Sequence, residues 1–342
     1  MKYPEPLKEG SKIAVTAFSS GVPAPCHQRL DIVIANLKRR GFTVVEGQCL
    51  RENNHHVSAS KEQRAKELMD FLCDDSIDAI MPPWGGELAM DILPLLNYEQ
   101  LNTVKPKWLM GFSDVSTILT AITTKIGWAT AHTANLMQLH PSETELLTAS
   151  VYGCLGQEAG ASFLQRSSTH YQTQGLPFAD NPNATLNLTE PTSWKVLGDA
   201  DNAQFSGRLI GGCLDTISHT IGTEYFDIDA FQHTFKSDGV ILYFENAEMS
   251  PTVLQRALLS MKYKGFFNQL SGLLIGRSAV TTNCGKDISP FEALSAALDD
   301  LNIPIVYDAD IGHLPPNMTL LNGSYAEVTV ENGAAKVVQT LK

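Results

Sequence analysis

The stretch Lys107-Trp108-Leu109-Met110-Gly111-Phe112-Ser113-Asp114-Val115 decides how the chain is read. An apolar run ends at Phe112 and a helix-like stretch, Val115 to Ile126, begins three residues later, so Ser113 falls on a sharp strand-to-helix turn. A serine there projects its hydroxyl out of the backbone at the positive end of a helix, where an oxyanion is stabilised. That is how a nucleophile is displayed. Gly111-Phe112-Ser113 matches only part of the G-x-S-x-G elbow, because position 115 is Val.

Upstream of this turn the chain alternates between two periodicities. Lys12 to Phe18 is β-rich, His27 to Arg40 has helical spacing, and Phe42 to Glu46 is β-rich again. Ser60 with Gln63 predicts a capping box for a helix to about Cys73, and Ile77 to Met81 predicts a short buried strand ending at Pro82-Pro83. Such alternation predicts a parallel sheet with helices on both faces and a site at the C-terminal ends of its strands. Ser19-Ser20-Gly21, Trp84-Gly85-Gly86-Glu87 and Gly111 to Asp114 all fall at such ends, so the three loops should be neighbours.

With 342 residues, 43% hydrophobic and 18% charged, the chain has material for two domains with cores of their own. The α/β pattern lapses after about Gln165 into a polar stretch holding Asp180-Asn181-Pro182-Asn183 and Glu190-Pro191-Thr192-Ser193. Residues 1–165 therefore read as an N-terminal domain, 166–204 as an interdomain connection and 205–342 as a second α/β domain. In the latter, strands are expected near Phe205 to Ile210, Val240 to Phe244, Gly272 to Ile275 and Pro304 to Tyr307. Ser250-Pro251 and Ser289-Pro290 open helices, the second with Glu292 completing a capping box, and Asn332-Gly333 predicts a type I′ hairpin between Val328 to Val330 and Lys336 to Val338.

The net charge of -12 excludes sequence-independent binding to a nucleic-acid polymer or an anionic membrane, both of which need clustered Lys and Arg. The opening residues Met1 to Pro6 have no apolar leader and no apolar run approaches the ~20 residues of a membrane span, so a cytoplasmic protein is expected. Cys26, Cys49, Cys73, Cys154, Cys213 and Cys284 lack C-x-x-C spacing and read as reduced thiols. None of them is expected at a strand-to-helix turn, which argues against a cysteine amidotransferase. His55-His56 has no third ligand at metal spacing and is expected to face solvent. No metal and no cofactor is expected.

An activated serine needs a base, a group orienting that base, and donors for the oxyanion. For the base, His313 follows Asp310-Ile311-Gly312 and precedes Leu314-Pro315-Pro316, a stiff loop beyond a strand; His132, in Thr130-Ala131-His132-Thr133, competes with it. Glu245, at the end of the apolar run Val240 to Phe244, is placed to orient the base, and Glu248 either shares that site or lies exposed. Gly85-Gly86 serves either a tight turn or a close backbone approach to a substrate carbonyl.

Taken in order, Gly10 to Val15, Ser19-Ser20, Ser58 to Arg64, Trp84-Gly85-Gly86, Asp91 to Leu96, Gly111 to Asp114, Leu209 to Gly212, Phe244-Glu245-Asn246 and Gly312-His313 resemble the LD-carboxypeptidase family of serine peptidases over nearly the whole chain. The resemblance implies a parallel-sheet, flavodoxin/amidotransferase-like N-terminal domain and a smaller C-terminal α/β domain like a swivelling barrel. It implies Ser113 as nucleophile, His313 as general base and then acid, and Glu245 holding the imidazole, with the backbone N–H of Asp114 and one from Gly85 or Gly86 forming the oxyanion hole. Catalysis would occur between the domains, in a homodimer that needs no metal. Asn246, Cys213 and Thr133-Ala134 depart from the family's usual Asp, Asn and Gly-Pro, which bears on substrate choice.

Two branches are implied. One removes a terminal D-residue from murein tetrapeptides. The other resembles the microcin C immunity peptidase, which cuts the amide joining an aminoacyl or peptidyl group to a nucleotide-like moiety. Trp194 and Gly222-Thr223-Glu224-Tyr225 look closer to the second, with Trp194 either stacking on the base or packing the interdomain hinge. Trp194, Gly212, His132 and Glu248 are thus expected around a small peptide-like or aminoacyl-nucleotide substrate. The rival reading, a cleft protein that binds a peptide or nucleotide without catalysis, gives Ser113, Glu245 and His313 no purpose.

Overall fold

A computed structural model describes residues 1–198, 200–280 and 287–342, so Cys284 lies outside the described residues. The first half of the chain runs β1 (Lys12–Val15), α1 (His27–Arg39), β2 (Thr43–Glu46), α2 (Lys61–Cys73), β3 (Ala79–Ile80) and α3 (Tyr98–Leu101). It continues with β4 (Trp108–Gly111), α4 (Val115–Ile126), β5 (Thr130–His132), α5 (Leu146–Ala149) and α6 (Val151–Leu155). The middle of the chain holds β6 (Ser162–Arg166), β7 (His170–Tyr171), β8 (Glu190–Pro191), β9 (Lys195–Val196) and the long β10 (Asn202–Cys213). Then come α7 (Leu214–Ile217), α8 (Ile228–Thr234), β11 (Val240–Glu245), α9 (Pro251–Tyr263), β12 (Gly272–Gly276) and α10 (Pro290–Leu298). The chain closes with β13 (Ile305–Ala309), β14 (Leu320–Asn322), β15 (Tyr325–Glu331) and β16 (Ala334–Thr340).

One sheet has the order β14-β5-β4-β3-β1-β2, with β1 to β5 parallel as the alternation predicted. Successive residues of a strand face opposite sides, so Met110 packs with Leu30, Val33 and Leu37 of α1 while Leu109 packs with Leu68 of α2 and Ile118 and Ile122 of α4. The second sheet is mixed, in the order β6-β16-β15-β10-β11-β12-β13-β9, with β10 to β13 parallel. Every residue of β11 is buried. Val240, Leu242 and Phe244 face Leu254 and Leu258 of α9 and Ala297 of α10, whereas Ile241 and Tyr243 face Leu209, Val306 and Val328.

The stretch expected as a connection, 166–204, is paired into the second sheet at both ends. β6 starts at Ser162 and pairs antiparallel with β16 at one edge of the second sheet, and β9 pairs antiparallel with β13 at the other. The polar stretch is pinned at both ends because a sheet edge offers unpaired N–H and C=O groups that a passing strand satisfies. In return, β14 leaves the C-terminal half and pairs antiparallel with β5 of the first sheet.

Local signals survive intact. Ser60/Gln63 and Ser289/Glu292 form reciprocal capping boxes, and Asn332 and Gly333 have φ of 50° and 83°, the pair of positive values that a type I′ turn requires. Among the described residues, no helix is long and apolar enough to cross a membrane.

Candidate active site

Ser113 occupies the turn between β4 and α4 with φ of 65°, a left-handed conformation that a non-glycine residue adopts at a cost and that functional turns retain. The helix behind it is held firmly, because α4 lies buried between the two sheets and Ser116 Oγ accepts the N–H of Cys213 at 3.0 Å. Asp114 is also buried. Its carboxylate accepts from Ser19 Oγ at 2.6 Å, the N–H of Ala89 at 2.7 Å and Thr117 Oγ1 at 3.1 Å. Burial raises its pKa against the pull of those bonds. With the N–H of Ser20 donating to the carbonyl of Gly85 at 3.2 Å, the three loops expected to be neighbours are bonded to one another.

Glu245 ends β11, fully buried, and in the parallel register it lies opposite Cys213 at the end of β10. His313 follows β13. Gly312, at φ of 102°, is confined to glycine twice over, since a Cβ there would collide with the Glu245 carboxylate. The loop is clamped from behind by Asp310, which is buried and accepts from the N–H of Ser168 at 2.8 Å, its hydroxyl at 2.6 Å, Trp194 Nε1 at 2.9 Å and Arg277 Nη2 at 2.7 Å. On the near side, the N–H of Gly312 donates to Asn317 Oδ1 at 2.6 Å.

These elements bring three side chains from separate parts of the chain into line. His313 Nδ1 lies 2.9 Å from Glu245 Oε2, and Nε2 lies 3.1 Å from Ser113 Oγ. An ionised carboxylate only accepts, so the proton between them belongs on Nδ1 and Nε2 is left to accept from the Ser113 hydroxyl. Burial is the largest influence on the imidazole and lowers its pKa, but the carboxylates of Glu245, Asp215 and Glu248 together raise it above its ordinary value. Phe112 meets the ring edge-on, with centroids 4.9 Å apart. A hydroxyl bonded in this way to an oriented imidazole can lose its proton as it attacks a carbonyl.

Ser113 and His313 open onto a cavity of ≈ 380 Å³ lined also by Trp84, Gly85, Gly86, Glu87, Phe112, Asn135, Met137, Phe178 and Glu248. Gly85 is packed against Ser113 and the N–H of Asp114. Three residues expected around a substrate are elsewhere. Trp194 is 1% exposed in the core, with its indole N–H spent on Asp310, so no ring face is left for a base. His132 is fully buried behind Phe112 and against Tyr243. Gly212 lies under α4, where a Cβ would strike Ser116. His55 and His56 are exposed, as expected, and His56 pairs with Glu87 at 2.9 Å.

One exclusion is also corrected. Cys213 does occupy a strand-to-helix turn, as the N-cap of α7 after β10. It is not displayed as a nucleophile: it is buried, and desolvation with the Glu245 and Asp215 carboxylates pushes its thiol well up.

Other residues at the site escaped the sequence reading. Asn135 Oδ1 accepts the N–H of Phe112 at 3.0 Å and lines the cavity. Asp215 accepts the N–H groups of Ala247, Glu248 and Met249, fixing the loop after Glu245. Phe178 comes from the polar stretch, and no local signal marks it.

Residues 13–133 match the LD-carboxypeptidase N-terminal domain, and residues 206–328 match the LD-carboxypeptidase C-terminal domain. The chain is 24% identical to the microcin C7 self-immunity protein MccF of Escherichia coli, over 96% of this chain and 93% of that one. The structure of MccF in complex with aspartyl sulfamoyl adenosine superposes with a TM-score of 0.84, at 23% identity over 99% and 98% of the two chains. A probable murein peptide carboxypeptidase of Bacillus subtilis is 23% identical over 98% of this chain and 93% of its own. Muramoyltetrapeptide carboxypeptidase from Oxalobacter formigenes has a TM-score of 0.74, with 19% identity over 96% and 99%. With both domain models matched in order across most of its length, the chain belongs to the LD-carboxypeptidase family.

Proposed function

We propose that the protein is a serine carboxypeptidase or amidase that hydrolyses a C-terminal amide of a small peptide-like molecule through an acyl-enzyme. The bonded series Glu245, His313 and Ser113 carries this reading. Ser113 Oγ adds to the amide carbonyl while His313 Nε2 takes the hydroxyl proton, and Glu245 stabilises the imidazolium. The N–H of Asp114, at the start of α4, and that of Gly85 or Gly86 meet the developing oxyanion. His313 then protonates the leaving nitrogen, the C–N bond breaks, and water, deprotonated by the same imidazole, releases the acid and restores Ser113.

Among amides, those joining an aminoacyl or peptidyl group to a nucleotide-like moiety fit the cavity best. Its walls include Trp84, Phe112, Met137 and Phe178, apolar surface suited to a planar base, and its volume is that of a small-molecule site. Trp84 is fixed by its indole N–H donating to the carbonyl of Ser20 at 3.1 Å. In this reading Trp84 and Phe178 take the stacking role that buried Trp194 cannot.

Ser113→Ala is expected to lower kcat by at least about 10³-fold with the thermal unfolding curve unchanged. Purified protein is assayed with an aminoacyl sulfamoyl nucleoside and with a murein tetrapeptide. Faster consumption of the tetrapeptide overturns the nucleotide branch, hydrolysis of neither substrate overturns the hydrolase, and full activity in Ser113→Ala overturns the Ser113 acyl-enzyme route.

A further inference from the structure

One group of metal-competent ligands stands together among the described residues: Cys213 Sγ, a Glu245 carboxylate oxygen and a His313 ring nitrogen all lie within 4.8 Å of one another. The sheet register is the reason. β10 and β11 run parallel with Cys213 opposite Glu245, so the two side chains leave the same end of the sheet side by side. His313 is brought to them by its 2.9 Å bond to Glu245 Oε2. That bond uses one carboxylate oxygen. The other, Oε1, is buried and has no hydrogen-bond partner among the described residues, an expensive condition for a carboxylate that a bound ion relieves.

We propose that Cys213, Glu245 and His313 form an inhibitory site for Zn²⁺ or a similar thiolate-seeking divalent cation. Thiolate, imidazole and carboxylate are the donor set that zinc takes in proteins, and magnesium and calcium do not favour it. Zinc bonds of about 2.0–2.3 Å set ligand atoms roughly 3.3–3.8 Å apart, so side-chain rotation of about an ångström closes the site. Binding releases the Cys213 thiol proton to water and shifts the His313 ring proton from Nδ1 to Nε2, so that the neutral imidazole coordinates through Nδ1 and the cation takes the place of the proton that joins His313 to Glu245. With Nδ1 on the cation, Nε2 carries the ring proton and can only donate, so Ser113 loses its acceptor. His313 lines the cavity and is the side from which a cation enters.

The site itself stands on geometry alone; its inhibitory effect rests on the hydrolase reading above. The test titrates metal-free full-length protein with Co²⁺ and with Zn²⁺. Wild type is expected to develop a thiolate-to-cobalt charge-transfer band in the near ultraviolet that Zn²⁺ abolishes, with about one proton released per Zn²⁺ by calorimetry in buffers of different ionisation enthalpy. Cys213→Ser, its fold checked by circular dichroism, should lack the band and bind Zn²⁺ at least about 100-fold more weakly. No band in wild type, or unchanged Zn²⁺ affinity in Cys213→Ser, overturns the site, and the wild-type measurement decides alone if the variant does not fold. In the hydrolysis assay, Zn²⁺ but not Mg²⁺ should stop turnover and EDTA restore it; binding without inhibition overturns the inhibitory role. A protein that binds Zn²⁺ as described but hydrolyses neither substrate keeps the metal site and removes the hydrolase reading.

Discussion

Gly312 and His132 show how much depends on single side chains. At Gly312 a Cβ would add both left-handed strain and a collision with the Glu245 carboxylate. Gly312→Ala is therefore expected to cost about 2–4 kcal/mol in denaturant unfolding and to lower activity with it. His132 is fully buried, and neither ring nitrogen is bonded among the described residues. Burial first, and the neighbouring His313 charge second, push its pKa down to about 3. Between its unfolded value, ~6.5, and about 3 the unfolded chain binds a proton that the folded chain refuses, so stability is lost as pH falls through that window, by about 2 kcal/mol at roughly pH 5. His132→Phe should remove this acid-linked loss and add about 1 kcal/mol at neutral pH, because no polar group is then left unbonded. A denaturation series across pH in both proteins measures the difference.

At the scale of elements, what positions the candidate nucleophile is a carboxylate one residue away. Asp114 joins α4 to the loop after β1 and to the loop after β3 through two buried accepted hydrogen bonds, and accepts a third from Thr117 of α4 itself. Asp114→Ala strands the Ser19 hydroxyl and the Ala89 N–H, at an expected cost of about 3 kcal/mol, whereas Asp114→Asn keeps an acceptor and should cost less. Urea midpoints of the two variants, with m unchanged, test the ordering. Asp215 does for the loop after β11 what Asp114 does for α4. Asp310, paired with Arg277 and bonded to Ser168 and Trp194, ties the polar middle of the chain to the His313 loop. Trp194 is held in this clamp as a packing residue, the alternative to base stacking that its place in the sequence left open.

Across the whole molecule, strands are exchanged between the halves: β6 and β9 of the middle segment edge the second sheet, and β14 of the C-terminal half edges the first. The full chain should therefore unfold in a single calorimetric transition, while residues 1–160 alone, lacking β14 and the second sheet against which α4 is buried, should show none. Two separated transitions in the intact protein would contradict this. Periodicity, caps and turn residues are local properties, and the parallel first sheet, both capping boxes, the Asn332-Gly333 hairpin and the strand-to-helix turn under Ser113 were all legible from residue order. Pairing between distant segments is not local. It depends on which sheet edges remain open once the cores have packed, so only the tertiary structure decided that the ends of the polar stretch pair with the edges of the second sheet, that Trp194 packs in the core, as does His132, and that Cys213 stands beside Glu245. The order of residues determined what chemistry Ser113, Glu245 and His313 could offer; folding decided that His313 stands 3.1 Å from the Ser113 hydroxyl and 2.9 Å from the Glu245 carboxylate, because burial of apolar strand faces fixes the register that carries them there.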